Sequence, residues 1–385
     1  MFILIENGQL FDPEPRGRCS VLIANGVIEK VGTIDRQALD RLGVQTERID
    51  ASGCVVTPGL VDPHAHLLGG SGEGSLALQT PMMFVHEIAR AGVTTVVGTL
   101  GVDTTMKTPA GLLARVKALN ELGLTACMWT GGYNVPPTTV MSSVREDMMF
   151  VSEVIGAGEI AISDERGLNQ SPQELAKLIR DTHVGGLLSG KSGRTHFHVG
   201  EESTRLAPLR EVVADYQVQC DWLYPTHVHR SKELLVEAIQ LANEGAFVDM
   251  DVVEENIADW LPVYIDNGGP LDKLTISSDM DSSTPDIFFT QFCELVIKHR
   301  HSLDMVLPLF TSNTARALKL PKKGAIREGM DADIVVLSEG SLDVREVIAR
   351  GQMMVRDGEP VVREKWLEKS KRKVSFVGDE HPSMK

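Results

Sequence analysis

Through the middle of the chain, short apolar runs alternate with polar or glycine-rich loops and with stretches of helical spacing. The runs at Val55–Val61, Val93–Gly98, Leu124–Thr130, Glu159–Ser163, Thr195–Val199, Leu223–His227, Ala246–Met250 and Leu274–Ser278 read as buried strands. Helical patterns fill the gaps, for example Ala110–Leu122, Pro172–Thr182 and Lys232–Glu244. Eight such units predict an α/β chain built on a (β/α)8 (TIM) barrel, with a doubly wound open sheet as the alternative. No dinucleotide glycine fingerprint follows the first run, which counts against the alternative.

The two ends have a different texture. Residues 1–54 read as short strands, Phe2–Glu6, Ser20–Ala24 and Val27–Val31, the last after the tight turn Asn25-Gly26. After a helical stretch over Leu303–Leu318, strand patterns return at Gly324–Ile326, Ile334–Leu337, Val344–Ala349 and Met353–Val355, with a turn at Asp357-Gly358. The ends are expected to pair into one small β-sandwich, giving a division into 1–54 (sandwich), 55–320 (barrel) and 321–370 (sandwich). A polar tail, 371–385, is expected to be disordered.

At 385 residues the chain has room for this large unit and its smaller companion. A net charge of -15 counts against nucleic-acid or anionic-membrane binding as the main role, since either needs a basic footprint. No apolar run reaches the roughly 18 residues of a membrane span, and the amino terminus lacks a basic leader, so a cytoplasmic protein is expected. Five scattered cysteines, none in Cys-x-x-Cys, suggest neither a disulfide framework nor a thiolate metal site.

Candidate chemistry begins at Pro63-His64-Ala65-His66, where two imidazoles spaced i, i+2 leave the same face of a strand. On its own such a pair is as well explained by solvated or core histidines. Glu159, His198, His227 and Asp279 fall at the ends of later predicted strands, and together the six are the ligand set of a zinc site that keeps a place for water. If two metals bind, a carboxylate must bridge them, and Glu159 is midway in strand order. His196 and His229 are expected to support the site or the core, and His86, His183, His299 and His301 to lie on the surface. The glycine-rich loop Gly69–Gly74 lacks the ending of a phosphate-binding loop.

With these residues in hand the chain resembles the amidohydrolase superfamily, on Pro58–His66 and Gly329–Val336, and within it the isoaspartyl (β-aspartyl) dipeptidases. The narrower resemblance rests on Leu67–Glu73, Val96–Gly101, Thr130–Pro136, Ala161–Arg166, Val184–Leu188, Pro225–Arg230 and Ser277–Asp279. It implies a binuclear zinc hydrolase that cleaves the isopeptide bond of β-aspartyl dipeptides with hydroxide generated at the metals. His64, His66 and Asp279 would hold one zinc and His198 and His227 the other. Glu73 would meet the substrate ammonium, Arg166 and Arg230 its carboxylates, and Ser283 would also touch substrate. Tyr133 would stabilise the oxyanion, and Asp279 would move the proton. Where that resemblance implies a carboxylated lysine bridging the metals, this chain has Glu159, after Gly156-Ala157-Gly158, whose glycines would let the backbone approach more closely for the shorter side chain. Rival expectations are an N-acyl amino acid deacylase, a cyclic amide or imide hydrolase, and a catalytically silent oligomeric binding protein. The expected partners are a dipeptide substrate and further copies of the same chain.

Overall fold

A computed structural model describes residues 2–253, 256–281 and 285–371. Six strands, Leu60–Ala65, Val93–Gly98, Thr125–Thr130, Val154–Ile162, Arg194–Val199 and Leu223–Thr226, lie side by side in chain order, all parallel. Val248–Asp251 and Leu274–Ser277 form a parallel pair of their own. The chain after that last strand returns to the first: Asp279 N–H donates to His64 O (3.0 Å) and His66 N–H to Met280 O (3.0 Å). The sheet is therefore curled into a partial barrel. Its strands are buried almost end to end, which is why they read as unbroken apolar runs rather than as alternating patterns.

Several boundaries depart from the sequence reading, each for a visible reason. The run Val55–Val61 is two strands, because the chain changes partners at Gly59. Cys54–Pro58 pairs antiparallel with Ile334–Ser338, Gly59 N–H donates to Asp333 O, and Leu60 N–H turns to Gly92 O. The fourth strand starts at Val154, five residues before Glu159, so Gly156 and Gly158 lie within it rather than in a turn. Glycine is a poor strand former, and that concealed the strand's first half. The helical stretch over 303–318 is two helices, Leu303–Phe310 and Ser312–Ala317, separated at Thr311 (φ -138°, ψ -89°). Gly324–Ile326 is not a strand; the Ile326 N–H is taken by the Asp12 carboxylate at 2.9 Å.

The ends of the chain do come together. Phe2–Glu6, Ser20–Ala24, Val27–Gly32 and Thr46–Asp50 form a four-stranded sheet. A seven-stranded mixed sheet joins Gln9–Phe11, Pro15–Arg18 and Cys54–Pro58 to Ile334–Ser338, Val344–Ala349, Gln352–Arg356 and Glu359–Pro360. Ile3, Ile5, Val21 and Ile23 from the first share one apolar cluster with Val56, Ile334, Val336 and Ile348 from the second. No helix among the described residues is long and apolar enough to cross a membrane. The tail expected to be disordered lies, after Lys371, outside the described residues.

Candidate metal centre

The curled sheet gathers its chemistry at the carboxyl ends of its strands. His64 is near the end of the first strand and His66 just past it; Glu159 lies within the fourth, His198 near the end of the fifth. His227 and Asp279 each stand one or two residues beyond a strand, with φ of 61° and 45°. Left-handed backbone at non-glycine residues is uncommon and costs on the order of 1 kcal/mol or more, and it persists where the surroundings impose it. Here it turns both side chains into the mouth of the sheet.

The six predicted ligand residues converge. His64 Nε2 lies 3.2 Å from Glu159 Oε2 and 3.1 Å from Asp279 Oδ1, and His66 Nε2 lies 3.1 Å from the same Oδ1. Glu159 Oε1 is 2.6 Å from His198 Nδ1 and 3.5 Å from His227 Nε2. Three overlapping groups have ligand atoms close enough to hold an ion: His64, His66 and Asp279; His64, Glu159 and His227; and His227, Asp251 and Asp279. His198 enters through Glu159 instead, with its Nε2 3.0 Å from Asp164 Oδ2.

Burial by itself would push the Glu159 carboxyl up, but His64, His198 and His227 outweigh it and hold it well below the usual carboxylate range. Burial would likewise push His64 down, and Glu159 with Asp279 hold it well above its ordinary value. Nε2 of His64, Nε2 of His227 and Oε2 of Glu159 are buried and, among the described residues, make no hydrogen bond. Orphaned buried polar atoms are costly. Three of them facing one another, with two imidazoles and a carboxylate as the donors, fit a divalent metal such as zinc.

The neighbouring groups fix which imidazole nitrogen can bind. His196 Nδ1 is 2.9 Å from the Tyr224 carbonyl, which can only accept, so it carries the proton. Burial, followed by the nearby His64, pushes the His196 imidazole well below its ordinary value, so the ring is neutral and its Nε2 is an acceptor. That atom lies 3.0 Å from His64 Nδ1, which must donate, so Nε2 is the His64 nitrogen left to face the site, free to bind an ion once its own proton is displaced. Asp251 does the same for His227, with Oδ2 at 2.6 Å from Nδ1. Such outer partners orient metal-binding imidazoles. Asp62 braces the opposite seam, accepting from the N–H of His64 (3.2 Å) and of Ser278 (3.1 Å) and from the Ser278 hydroxyl (2.5 Å).

Tyr133, Glu73, Arg166 and Arg230 line, together with His66, Glu159, His198 and Asp279, one cavity of about 290 Å³. Arg166 makes a forked pair with Asp164 (Nε–Oδ1 2.8 Å, Nη2–Oδ2 2.7 Å) and reaches Glu73 Oε1 at 2.8 Å. Arg230 Nη1 donates to Val199 O at 2.9 Å. The Tyr133 hydroxyl stands 3.0 Å from His198 Nδ1; burial, then Glu159, push its pKa well above the ordinary value, so it remains a donor. Ser283 lies outside the described residues.

Sequence reasoning missed Asp164 and Asp251. Asp251 carried a signal, a carboxylate ending an apolar run; Asp164 sat unweighed beside Arg166. His86, expected on the surface, is buried, with its ring stacked on Phe84 at 5.6 Å. Half-buried His183 stacks on Trp222 at 3.9 Å. A Cβ at Gly156 would come within 2.3 Å of Arg194 O and 2.4 Å of the Trp129 ring, and one at Gly158 within 2.7 Å of His196. What the glycines admit is a close approach of the fourth strand to the fifth, whose register slips between Ala157 and Ile160, flanking buried Glu159.

Comparison with known proteins agrees with this geometry. The profile of the amidohydrolase family matches residues 55–354. The crystal structure of a β-aspartyl dipeptidase from the keratin-degrading thermophile Fervidobacterium islandicum AW-1 superposes with a TM-score of 0.89 at 35% identity, covering 94% of this chain and 98% of that one. Its complex with a β-Asp-Leu dipeptide superposes with a TM-score of 0.87 at 33% identity, with the same coverage. An adenine deaminase from Bacillus pumilus is 23% identical over 88% of this chain, which spans 54% of that relative's length.

Proposed function

The chain belongs to the amidohydrolase family, and on that premise we propose that it is a binuclear zinc hydrolase that cleaves the amide bond of β-aspartyl dipeptides. One observation carries the reading. Besides the ligand-type residues and Asp281, the cavity is lined by the Glu73 carboxylate and the Arg166 and Arg230 guanidinium groups, which match a substrate with one ammonium and two carboxylates. The dipeptide seen in the F. islandicum enzyme has that charge pattern. An acylated nitrogen, as in the deacylase alternative, would leave Glu73 without a cation.

His64, His66 and Asp279 would hold one zinc, His198 and His227 the other, and Glu159 both. Bound zinc supplies Lewis acidity, which acidifies water and polarises an amide carbonyl. The protein's own groups do the rest. Glu73 and the two arginines orient the dipeptide. Asp279 accepts the proton of the attacking water and returns it to the departing amine. Tyr133 donates to the carbonyl oxygen as negative charge develops. We read the curled sheet as a closed (β/α)8 barrel that begins after Pro58, rather than at 55, and runs to about 320, and the two terminal sheets, over 1–58 and 321–370, as a β-sandwich. Return of the last strand to the first and the shared apolar cluster support both. Five unpaired cysteines fit a reducing, cytoplasmic setting.

Metal analysis combined with a panel of matched α- and β-aspartyl dipeptides tests the reading. The expected result is about two metals per chain and turnover confined to the β-linked series. Hydrolysis of the α-linked series, or of N-acyl amino acids in preference, overturns it.

A further inference from the structure

We infer that Thr80 is a positioning residue for substrate binding, its hydroxyl tying the loop that carries Glu73 to the segment that carries Asp279. The inference rests on the β-aspartyl dipeptidase reading above. Gly70 N–H donates to Thr80 Oγ1 at 2.6 Å, and the same hydroxyl donates to the Asp281 carbonyl at 2.7 Å. One proton and two lone pairs allow both bonds at once. Gly70 is three residues before Glu73, and Asp281 is two after Asp279. One side chain from a third segment thus joins the backbone beneath the ammonium-binding group to the backbone beside the proton carrier.

The joint is built tightly. A Cβ at Gly69 would lie 2.3 Å from Thr80 O and 2.4 Å from Pro81 O, and one at Gly72 2.4 Å from the Gln79 nitrogen. One at Gly70 would lie 2.9 Å from Asp281 Oδ2. The loop therefore rests on the 78–81 backbone with no side chain between them. Beyond the joint the chain is exposed, with Leu76 at 79% and Leu78 at 60% accessibility. A second tie at Glu73 itself, the Arg166–Glu73 ion pair, joins the two groups that the substrate's charges compete for. When substrate enters and takes those charges, the Thr80 hydroxyl still ties the loop to the Asp279 segment, while Lys107 Nζ, donating to Leu68 O at 2.7 Å, holds only the loop's start.

The test uses zinc-loaded full-length protein and β-Asp-Leu, with Thr80→Val, Thr80→Ser, and each in a Glu73→Gln background. Thr80→Val is expected to raise KM about tenfold with kcat changed far less. Metal content should stay at the wild-type level, and amide hydrogen exchange over residues 69–75 should quicken. Thr80→Ser, which keeps the hydroxyl, should restore KM and exchange. Because Thr80 acts through Glu73, the effect of Thr80→Val should largely disappear in the Glu73→Gln background. An unchanged KM, a serine variant no better than valine, or a full effect without Glu73 overturns the inference. Should the wild type cleave no β-aspartyl dipeptide, the dipeptidase reading fails; quickened exchange in Thr80→Val then supports the tie, and unchanged exchange overturns it.

Discussion

Glu159 Oε1 stands 2.6 Å from Nδ1 of His198, while the other oxygen of the same carboxylate faces His64 Nε2 at 3.2 Å. One short side chain therefore spans the two halves of the ligand cluster, and it does so from a strand held against its neighbour at Gly156 and Gly158. Burial opposes the charge, yet the surrounding imidazoles hold this carboxyl well below its usual range, so Glu159 is anionic at neutral pH without chemical modification. Reconstitution of metal-free protein with zinc should proceed equally well with or without bicarbonate. Glu159→Lys should not give a working site even in excess bicarbonate, because the backbone is already placed for a shorter chain. Glu159→Asp should also fail, since losing a methylene exceeds the tolerance of about 0.2 Å for ligand distances. Bicarbonate-dependent loading of the unmodified protein would show that another group bridges.

Removing His198 tests the weaker half of the cluster. It is the predicted ligand that none of the three closest ion-holding groups contains, held instead between Glu159 and Asp164. His198→Asn should retain about one metal per chain and lose nearly all turnover, as expected when one site of a two-metal pair is emptied. Full metal content with normal kcat would remove His198 from the ligand set.

Arg166 is fixed by a forked pair to Asp164, and that carboxylate also touches His198, so the arginine is locked beside the metal centre before substrate arrives. Its pKa is raised further by those bonds, chiefly the one to Asp164, and it stays cationic. Arg166→Met removes a charge-assisted bond worth about 1.5–3 kcal/mol and should lower kcat/KM for a β-aspartyl dipeptide about ten- to a hundredfold or more. Metal content should be unchanged. Equal turnover of N-acetylated and free-amine substrates by the wild type would withdraw the complementary role of Glu73.

The eight central strands were legible because parallel strands buried on both faces are apolar throughout, and most of the ligand residues because they stand at or near the ends of those runs, Glu159 alone among the six lying well inside its strand. What escaped depended on partners distant in the chain. Nothing local marks Gly59 as the point where a strand leaves one sheet for another, since the switch is set by Asp333 and Gly92. Asp62 looked like any polar residue in a motif, yet it holds the N–H groups of both His64 and Ser278 across 216 positions of sequence. His196 was set aside as a supporting residue, and its effect on the His64 tautomer needed the Tyr224 carbonyl to be seen opposite. His86 was misplaced because a short helix carrying aromatic neighbours reads the same whether solvent or Phe84 covers the ring.

Asp249 is fully buried two residues before Asp251 and accepts from hydroxyls rather than from cations. Thr226 Oγ1 donates to it at 2.8 Å, and Thr275 Oγ1 and Ser277 Oγ each at 2.5 Å. Burial pushes its carboxyl up to about 7, against an ordinary value of 3.8, and the three hydroxyls offset only part of that. Between those values the folded protein keeps a proton that the unfolded chain has released. Stability from this group is therefore fully present below the ordinary value, falls by about 1.4 kcal/mol for each pH unit above it, and levels off beyond the raised pKa. Asp249→Asn keeps the shape and stays neutral, so it should escape this loss. In metal-free protein, the melting temperature of Asp249→Asn minus that of wild type should climb from pH 5 to 7 by the equivalent of about 3 kcal/mol, then flatten. A difference that does not vary with pH would mean that Asp249 is ionised throughout, with a cation or an ordered water reaching it in the folded protein.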